Sequence, residues 1–445
     1  MPENVRHFIG GVHPPGAKHL SEDQAIQDAP LMDTYIVPLH QHIGAPPKLL
    51  VGKKDAVLRG QCIAEPGGFV SAPIHAPTSG VIKALTECLG TAGTKLPAVE
   101  IEPDGQDTPA DELAPIAEWE DTDPEALKQR VGEAGIVGMG GAAFPTLVKL
   151  SPPPAKSIDV LILNGVECEP FLTADHRLML QESGRILTGA RILARILGVD
   201  RVILGIEENK PDAIEHMQAR ADQFDIQVLP LHVRYPQGAE KQLIYAATGR
   251  KVPTGGLPMD VGAVVQNVAT CAAACDAVVY GTPLYERVTT ITGTPVARPG
   301  NWRLRVGTLL RDAIALAGGV TEAPAKLILG GPMMGMSVYS LDIPVVKATS
   351  GILMLGADEI HQFTSEPCIR CGRCVDACPM ALLPGTLSTQ IENEEFDQAE
   401  GTHAVDCIEC GCCAYVCPTN RPLVQHLKRA KAEIMARRRA ERAKS

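Results

Sequence analysis

The sequence predicts a multidomain protein, α/β plus α+β, on three observations. At 445 residues the chain exceeds what one hydrophobic core comfortably holds. The local pattern changes at Pro124, from short apolar segments punctuated by Gly and Pro to strands and helices in alternation. The 14 cysteines are spread unevenly, with nine in the last 85 residues. Hydrophobic content of 45% and charged content of 21% describe an ordinary folded chain and exclude a disordered protein, a coiled coil or a multi-span membrane protein. A net charge of −11 argues against nucleic acid as a partner, because phosphate contacts need clustered Lys and Arg.

Residues 1–118 form the first expected module. Within it, residues 49–85 read as short strands joined by Gly and Pro turns. Five histidines near the start (His7, His13, His19, His40, His42) lack close metal-ligand spacing and read as loop and surface residues. Residues 103–123 are acidic and Pro-rich, which suggests a linker. The N-terminus lacks the basic start and apolar stretch of a secretory signal, and no run of about twenty apolar residues occurs. A cytoplasmic chain without a transmembrane helix is expected. Its grouped thiols then read as metal ligands before disulfides.

The second module, residues 119–286, alternates apolar runs (160–163, 201–206, 226–231) with helical spacing at 178–197 and a helix opened by Pro211. This implies βαβ units and a parallel sheet. Residues 261–285, broken by Gln266, Asn267, Thr270 and Asp276, read as a buried helix and loop. Residues 287–358 form a small α+β module around a helix at 309–317 and a tight LGGPMMG turn. Residues 359–425 carry the cysteine clusters. The tail, 426–445, reverses the charge: residues 428–445 hold eight Lys/Arg and two Glu. It reads as a solvated terminal helix or as a docking element for an acidic partner or membrane surface.

Cys368, Cys371, Cys374 and Cys378 stand in C-x2-C-x2-C-x3-C before Pro379, and Cys407, Cys410, Cys413 and Cys417 repeat that spacing before Pro418. In a two-cluster ferredoxin arrangement the fourth cysteine of each run ligates the other cluster. The expected ligand sets are therefore crossed: Cys368, Cys371, Cys374 and Cys417 for one [4Fe–4S] cluster, Cys407, Cys410, Cys413 and Cys378 for the second. Zinc competes, since paired C-x2-C units also bind it, but zinc gives no reason for a third spaced Cys and a Cys-Pro, twice. Cys412 is left over, a bystander beside Cys413. Two clusters form a wire for single electrons. The other cysteines (Cys62, Cys88, Cys168, Cys271, Cys275) lack ligand spacing, so the electron source is expected to be organic.

The segment GIVGMGGAAFPTLVKL (135–150) is the candidate for that source. It is not a dinucleotide fingerprint, because Pro145 follows closely and no strand clearly precedes it. Exposed N–H groups of such a loop could cradle a phosphate or lie under a flat ring, with Lys149 as a cation. NGVECEP (164–170) follows a predicted strand, which puts an amide and two carboxylates where α/β sheets bind ligands.

Several of these phrases resemble known families. GQCI (60–63) and APTSGVI (76–82) are similar to the lipoyl/biotinyl-carrier type of barrel-sandwich module. Ile74 and His75 stand where a carrier has its modified lysine, which implies a structural module. GMGGAAFPTLVK, NGVECEP, QNVAT (266–270) and YPQGAEKQL (235–243) resemble phrases of the flavin-bearing, NADH-oxidising subunit of respiratory complex I. That likeness implies a Rossmann-like flavin domain followed by a soluble-ligand-binding β-grasp module. Gly138, Gly140, Gly141, Lys149, Asn164, Glu167, Gly238, Glu240, Asn267 and Thr270 would surround FMN, with Phe144 and Glu169 near the nicotinamide of NADH. Departures from the family stand at Met139, Val166, Cys168 and Ala269.

The whole order, carrier-like module, flavin domain, β-grasp module and two-cluster ferredoxin-like tail, resembles the C-subunit family of Rnf complexes. Membership would imply a peripheral subunit on the cytoplasmic face of the cell membrane that passes electrons between NADH, FMN and two [4Fe–4S] clusters. Its partners would be the other subunits of an ion-translocating NADH:ferredoxin oxidoreductase, with ferredoxin or flavodoxin as eventual electron partner. No general acid or base of the protein is required, because the cofactor carries the chemistry. The alternatives are a diaphorase subunit of a soluble hydrogenase or formate dehydrogenase, and a non-catalytic iron–sulfur scaffold.

Overall fold

The computed structural model describes residues 7–364 and 366–442; the first six residues and the final Ala443, Lys444 and Ser445 of the basic tail lie outside them. At the centre is a four-stranded sheet in the order Ile226–Leu231, Arg201–Glu207, Val160–Asn164, Ala263–Asn267, parallel throughout. Alternate residues of each strand enter two cores. Leu161, Leu163, Val202, Leu204 and Val264 pack under helices Pro124–Glu133, Ser183–Leu197 and Val268–Val279. Val160, Ile162, Ile203 and Val265 face helix Glu240–Thr248 on the other side. A strand buried on both faces reads as a continuous apolar run. The fourth strand, Ala263–Asn267, therefore corrects the expectation of helix and loop: an apolar run this short has no periodicity to tell the two apart. Only the second half of that segment, Val268–Val279, is helix.

The strand order fixes the site. From the middle strand, Val160–Asn164, the chain builds outward through Arg201–Glu207 and Ile226–Leu231, then returns to add Ala263–Asn267 on the opposite side. The reversal lies between Val160–Asn164 and Ala263–Asn267. Ligands bind at such switch points, off the carboxyl ends of the strands.

The N-terminal segment holds two small antiparallel sheets, Tyr35–Pro38, Lys95–Pro103, Gly80–Leu89 and Ala56–Val57 in one, Lys48–Leu49, Cys62–Glu65 and Ile74–His75 in the other. Tyr35, Val37, Ile63, Ile74, Ile82, Val99 and Ile101 form their shared core. Ile74 and His75, at the carrier-lysine position, are buried, so that turn presents no arm. Strand Ile26–Asp28 leaves this module and adds in parallel to Gly300–Arg305, at the edge of a six-stranded mixed sheet built mainly from residues 286–355. Of residues 103–123, expected to be a linker, Pro103 ends a strand and the segment after it is strapped down. Asp107 takes Arg59 and Arg305, each at 2.5 Å, and Glu112 accepts the Cys62 amide.

The C-terminal region is a small helical unit whose core includes Leu382, Leu387, Ile391 and Phe396. Its last helix, Leu423–Arg442, starts before the expected boundary at 426 and buries Leu423, Leu427, Ala430 and Ile434 in that core. Several of the described tail cations are paired within the chain while staying exposed at its surface. Arg429, Lys431, Arg437 and Arg438 pair with Glu394, Glu409, Asp397 and Glu400 of the same unit. A helix so biased keeps its charges at the rim and buries only its apolar stripe. No described helix is long and apolar enough to cross a membrane.

Candidate functional site

Asn164 and Asn267 end the two strands that flank the reversal, and they are register partners. Asn267 caps helix Val268–Val279, its Oδ1 accepting from the Ala269 amide at 2.8 Å, so the positive end of the helix faces the crevice. Asn164 donates through Nδ2 to the Gly238 carbonyl at 2.9 Å, which brings the segment before helix Glu240–Thr248 to the same place.

The glycine loop docks over this point. It is closed by its own backbone: the Gly138 amide donates to Phe144 O at 2.8 Å and the Ala143 amide to Gly138 O at 3.1 Å. Thr270 anchors it, its Oγ1 accepting from the Met139 amide at 3.0 Å. A Cβ on Gly140 would lie 3.5 Å from that of Asn267, whereas Gly141, at φ +121°, has open space where its Cβ would be. The loop therefore presents bare backbone, as binding a flat ring or phosphate requires. Behind it stand two buried cations that sequence reasoning missed. Arg287 donates to Lys347 O at 2.7 Å and to Met139 O at 3.4 Å, and Lys347 Nζ donates to Gly135 O at 2.7 Å. Burial lowers both, Arg287 to about 10 and Lys347 to about 7.

Other expected residues are committed to structural bonds. Lys149 pairs with Glu240 at 2.7 Å and donates to Val265 O, joining two helices. Glu167, at φ +45°, caps helix Ala174–Gln181: its carboxylate accepts the Asp175 and His176 amides. The adjoining Asp175 accepts from Asn267 Nδ2 at 2.6 Å, and burial, reinforced by Glu167, raises it to about 7. Glu169, expected near the nicotinamide, accepts from the Met333 and Met334 amides, at 3.1 and 2.8 Å, and lies 3.4 Å from the Tyr235 hydroxyl. Burial raises Glu169 to about 7. The NGVECEP loop is gripped by two buried lysines. Lys18 donates to the carbonyls of Glu167, Glu169 and Leu172, and Lys210 to that of Val166. Neither was legible as a site residue, because both act on backbone far away in sequence.

The thiols form two sets, each lining a cavity. Cys368, Cys371, Cys374 and Cys417 line one, with Gly385 opposite; Cys378, Cys407, Cys410 and Cys413 line the other. A Cβ on Gly385 would come within 3.6 Å of Cys374 Sγ and 3.8 Å of Cys368 Sγ. The four thiols of each set stand around one space. The two runs repeat in backbone as well as spacing. Arg370 and Glu409 (φ +56° and +59°), Gly372 and Gly411 (+78° and +84°), and Ala381 and Asn420 (+54° and +44°) correspond in pairs. Amides of Arg370, Leu382 and Glu409 point at Cys368, Cys378 and Cys407 Sγ at 3.3–3.4 Å, as ligating sulfurs require. Cys412 lines neither cavity and is buried, its Sγ 3.8 Å from Tyr235 O.

Four family patterns match in succession: the RnfC barrel sandwich hybrid domain over 6–106, the Nuo51 FMN-binding domain over 131–276, the SLBB domain over 288–337 and a 4Fe-4S dicluster domain over 367–421. The C subunit of the proton-translocating ferredoxin:NAD(+) oxidoreductase complex of Clostridium ljungdahlii is 46% identical over 99% of this chain and 96% of its own. The C subunit of the Na(+)-translocating ferredoxin:NAD(+) oxidoreductase complex of Acetobacterium woodii is 44% identical over 98% and 99%. The C subunit of the ion-translocating oxidoreductase complex of Rhodobacter capsulatus is 44% identical over 96% and 83%. Among solved structures, an NAD+-reducing [NiFe]-hydrogenase in the H2-reduced state shares the fold, at 19% identity and a TM-score of 0.52, over 74% of this chain and 69% of that one.

Proposed function

We infer the function from one premise: the chain belongs to the family of C subunits of ion-translocating ferredoxin:NAD(+) oxidoreductase complexes. It is an electron-transfer subunit of such a translocase, and its partners are the other subunits of that complex. The observation that carries the reading is one chain's union of a bare glycine loop over a sheet switch point with two thiol-lined cavities. In our reading the parallel sheet is a Rossmann-like flavin domain, the 287–358 region a β-grasp module and the cysteine unit a ferredoxin-like domain.

Bound FMN would supply the chemistry that turns a two-electron hydride from NADH into single electrons. Gly138, Gly140, Gly141, Asn164, Gly238, Asn267 and Thr270 would hold it, with Lys149, Glu240 and Glu167 bracing the walls. Phe144 would lie beside the nicotinamide. Cys368, Cys371, Cys374 and Cys417 would ligate one [4Fe–4S] cluster, and Cys378, Cys407, Cys410 and Cys413 the other. The protein would sit on the cytoplasmic face of the membrane, with ferredoxin or flavodoxin at the far end of the electron path. NADH titration of the isolated, reconstituted chain, followed by absorbance and EPR, tests this. Bleaching of a flavin band followed by reduction of two clusters is expected. Intact clusters with no flavin released by acid would leave a non-catalytic scaffold.

A further inference from the structure

We propose that Tyr235 is the positioning residue that ties the flavin-side loop to one of the two cluster sites, that of Cys378, Cys407, Cys410 and Cys413, and that electrons pass between the flavin site and this junction site first. The inference rests on the function proposed above.

Tyr235 is only 3% exposed and is bonded on every side. Its hydroxyl donates to Cys410 O at 2.8 Å and lies 3.4 Å from Glu169 Oε1. Its main chain exchanges two bonds with Val12, at 2.8 and 3.0 Å, and the neighbouring Gly11 amide donates to Ala377 O, one residue before Cys378. Glu169, on the NGVECEP loop, holds the Met333 and Met334 amides, and the Met333 carbonyl would be 3.0 Å from a Cβ on Gly411. Gln242 adds a bond to Pro379 O at 3.3 Å. The loop that ends the central strand is thus joined, through Glu169, Tyr235 and Met333, to the backbone at Cys410 and Gly411. Gly10 completes the seam: a Cβ there would meet Cys378 backbone at 2.6 Å. The other site has no such seam with the flavin side among the described residues, and its Cys368 and Cys371 are exposed. Electron transfer weakens steeply with distance, so the site in bonded contact with the flavin domain is the first partner.

A hydroxyl aimed at a ligand's carbonyl also places the positive end of a dipole beside the site, and hydrogen bonding and burial are what set cluster potentials. Tyr235→Phe keeps the ring and removes the hydroxyl, with its bond to Cys410 O and its 3.4 Å contact to Glu169. In the reconstituted protein, FMN content, iron content and NADH oxidation by a dye that draws on the flavin should match the wild type. The potential of the cluster lost in Cys378→Ala should fall by the worth of one hydrogen bond, roughly a fivefold change in its reduced-to-oxidised ratio. Its reduction by NADH in stopped flow should slow severalfold, and the other cluster's potential should stay put. Unmoved potentials with unchanged rates, or a shift confined to the other cluster, would overturn the proposal. Should Tyr235→Phe lose iron, Gln242→Leu tests the same seam, with the same cluster expected to respond alone. A wild-type protein without FMN or iron would sink the function reading instead, and that outcome is visible before any variant is made.

Discussion

The two cysteine repeats carry the same spacing and the same left-handed backbone positions, yet they meet different surroundings. In the set Cys368, Cys371, Cys374 and Cys417, two thiols are exposed and two are half-buried. In the set Cys378, Cys407, Cys410 and Cys413, three are buried and one is half-buried. Exchange of the fourth cysteine heightens the contrast, because it gives buried Cys378 to the buried set. Ligand spacing is a local code that says what is bound. Burial and hydrogen bonding come from the rest of the chain, and they decide what potential and access each copy has. One repeat is thereby suited to the inside of the protein and the other to its surface.

The largest effect would come from breaking the exchange itself. Cys378→Ala should abolish the EPR signal of the cluster shared with Cys407, Cys410 and Cys413, and Cys417→Ala that of the cluster shared with Cys368, Cys371 and Cys374. Iron content should fall by about half in each, one cluster of the two expected from the dicluster spacing. Loss of the cluster adjacent in sequence would show that each run ligates its own.

Next in size is the terminal helix, which helps wall both sites: Leu423 lines the cavity of Cys368, Cys371, Cys374 and Cys417, and Val424 and Leu427 line the buried one. Ile434 is 1% exposed, so Ile434→Ala should cost about 2–5 kcal/mol in the C-terminal unit. Truncation after Leu427 would strip Ala430 and Ile434 together and cost more. Denaturant unfolding monitored by cluster absorbance measures both. A change below about 0.5 kcal/mol would return the helix to a solvated appendage.

Access gives the third test. Ferricyanide or a chelator should destroy the cluster on Cys368 and Cys371 well before the one on Cys407, Cys410 and Cys413. Equal loss rates by EPR would mean that burial in the chain alone does not separate them.

How much of this was legible follows from the range of each interaction. The cysteine sets and the glycine loop could be read because their chemistry depends on residues a few positions apart. Three strands of the central sheet are legible, while Ala263–Asn267 is not, because an apolar run of five has no period to read. The supports of the site were not legible. Lys18 reaches Glu167, Arg287 reaches Met139 and Tyr235 reaches Cys410, each across more than a hundred residues. Nothing local marks such a residue as different from any other buried lysine, arginine or tyrosine. The ion-pair partners of the basic tail were not legible for a related reason, since Glu394, Asp397, Glu400 and Glu409 lie 22–40 residues before the cations they meet, in the same unit but outside the tail.

The smallest and most pointed test concerns Lys431. Its ammonium donates to Cys407 O at 2.9 Å and pairs with Glu409 at 2.5 Å, while no described side chain donates to the carbonyls of Cys368, Cys371 or Cys374. The lysine is partly exposed, so water screens much of the pair, and Lys431→Met should cost only about 1 kcal/mol of stability. A positive charge near a cluster favours its reduced, more negative form. Its removal should therefore lower the potential of the buried cluster, less so at high salt in the wild type, where screening already weakens the charge. The exposed cluster has no equivalent cation on its ligand carbonyls among the described residues and should keep its potential. Redox titration by EPR at two ionic strengths reads both. Equal shifts in the two clusters would mean that Lys431 acts through the general charge of the domain, and the contrast between the repeats would then rest on burial alone.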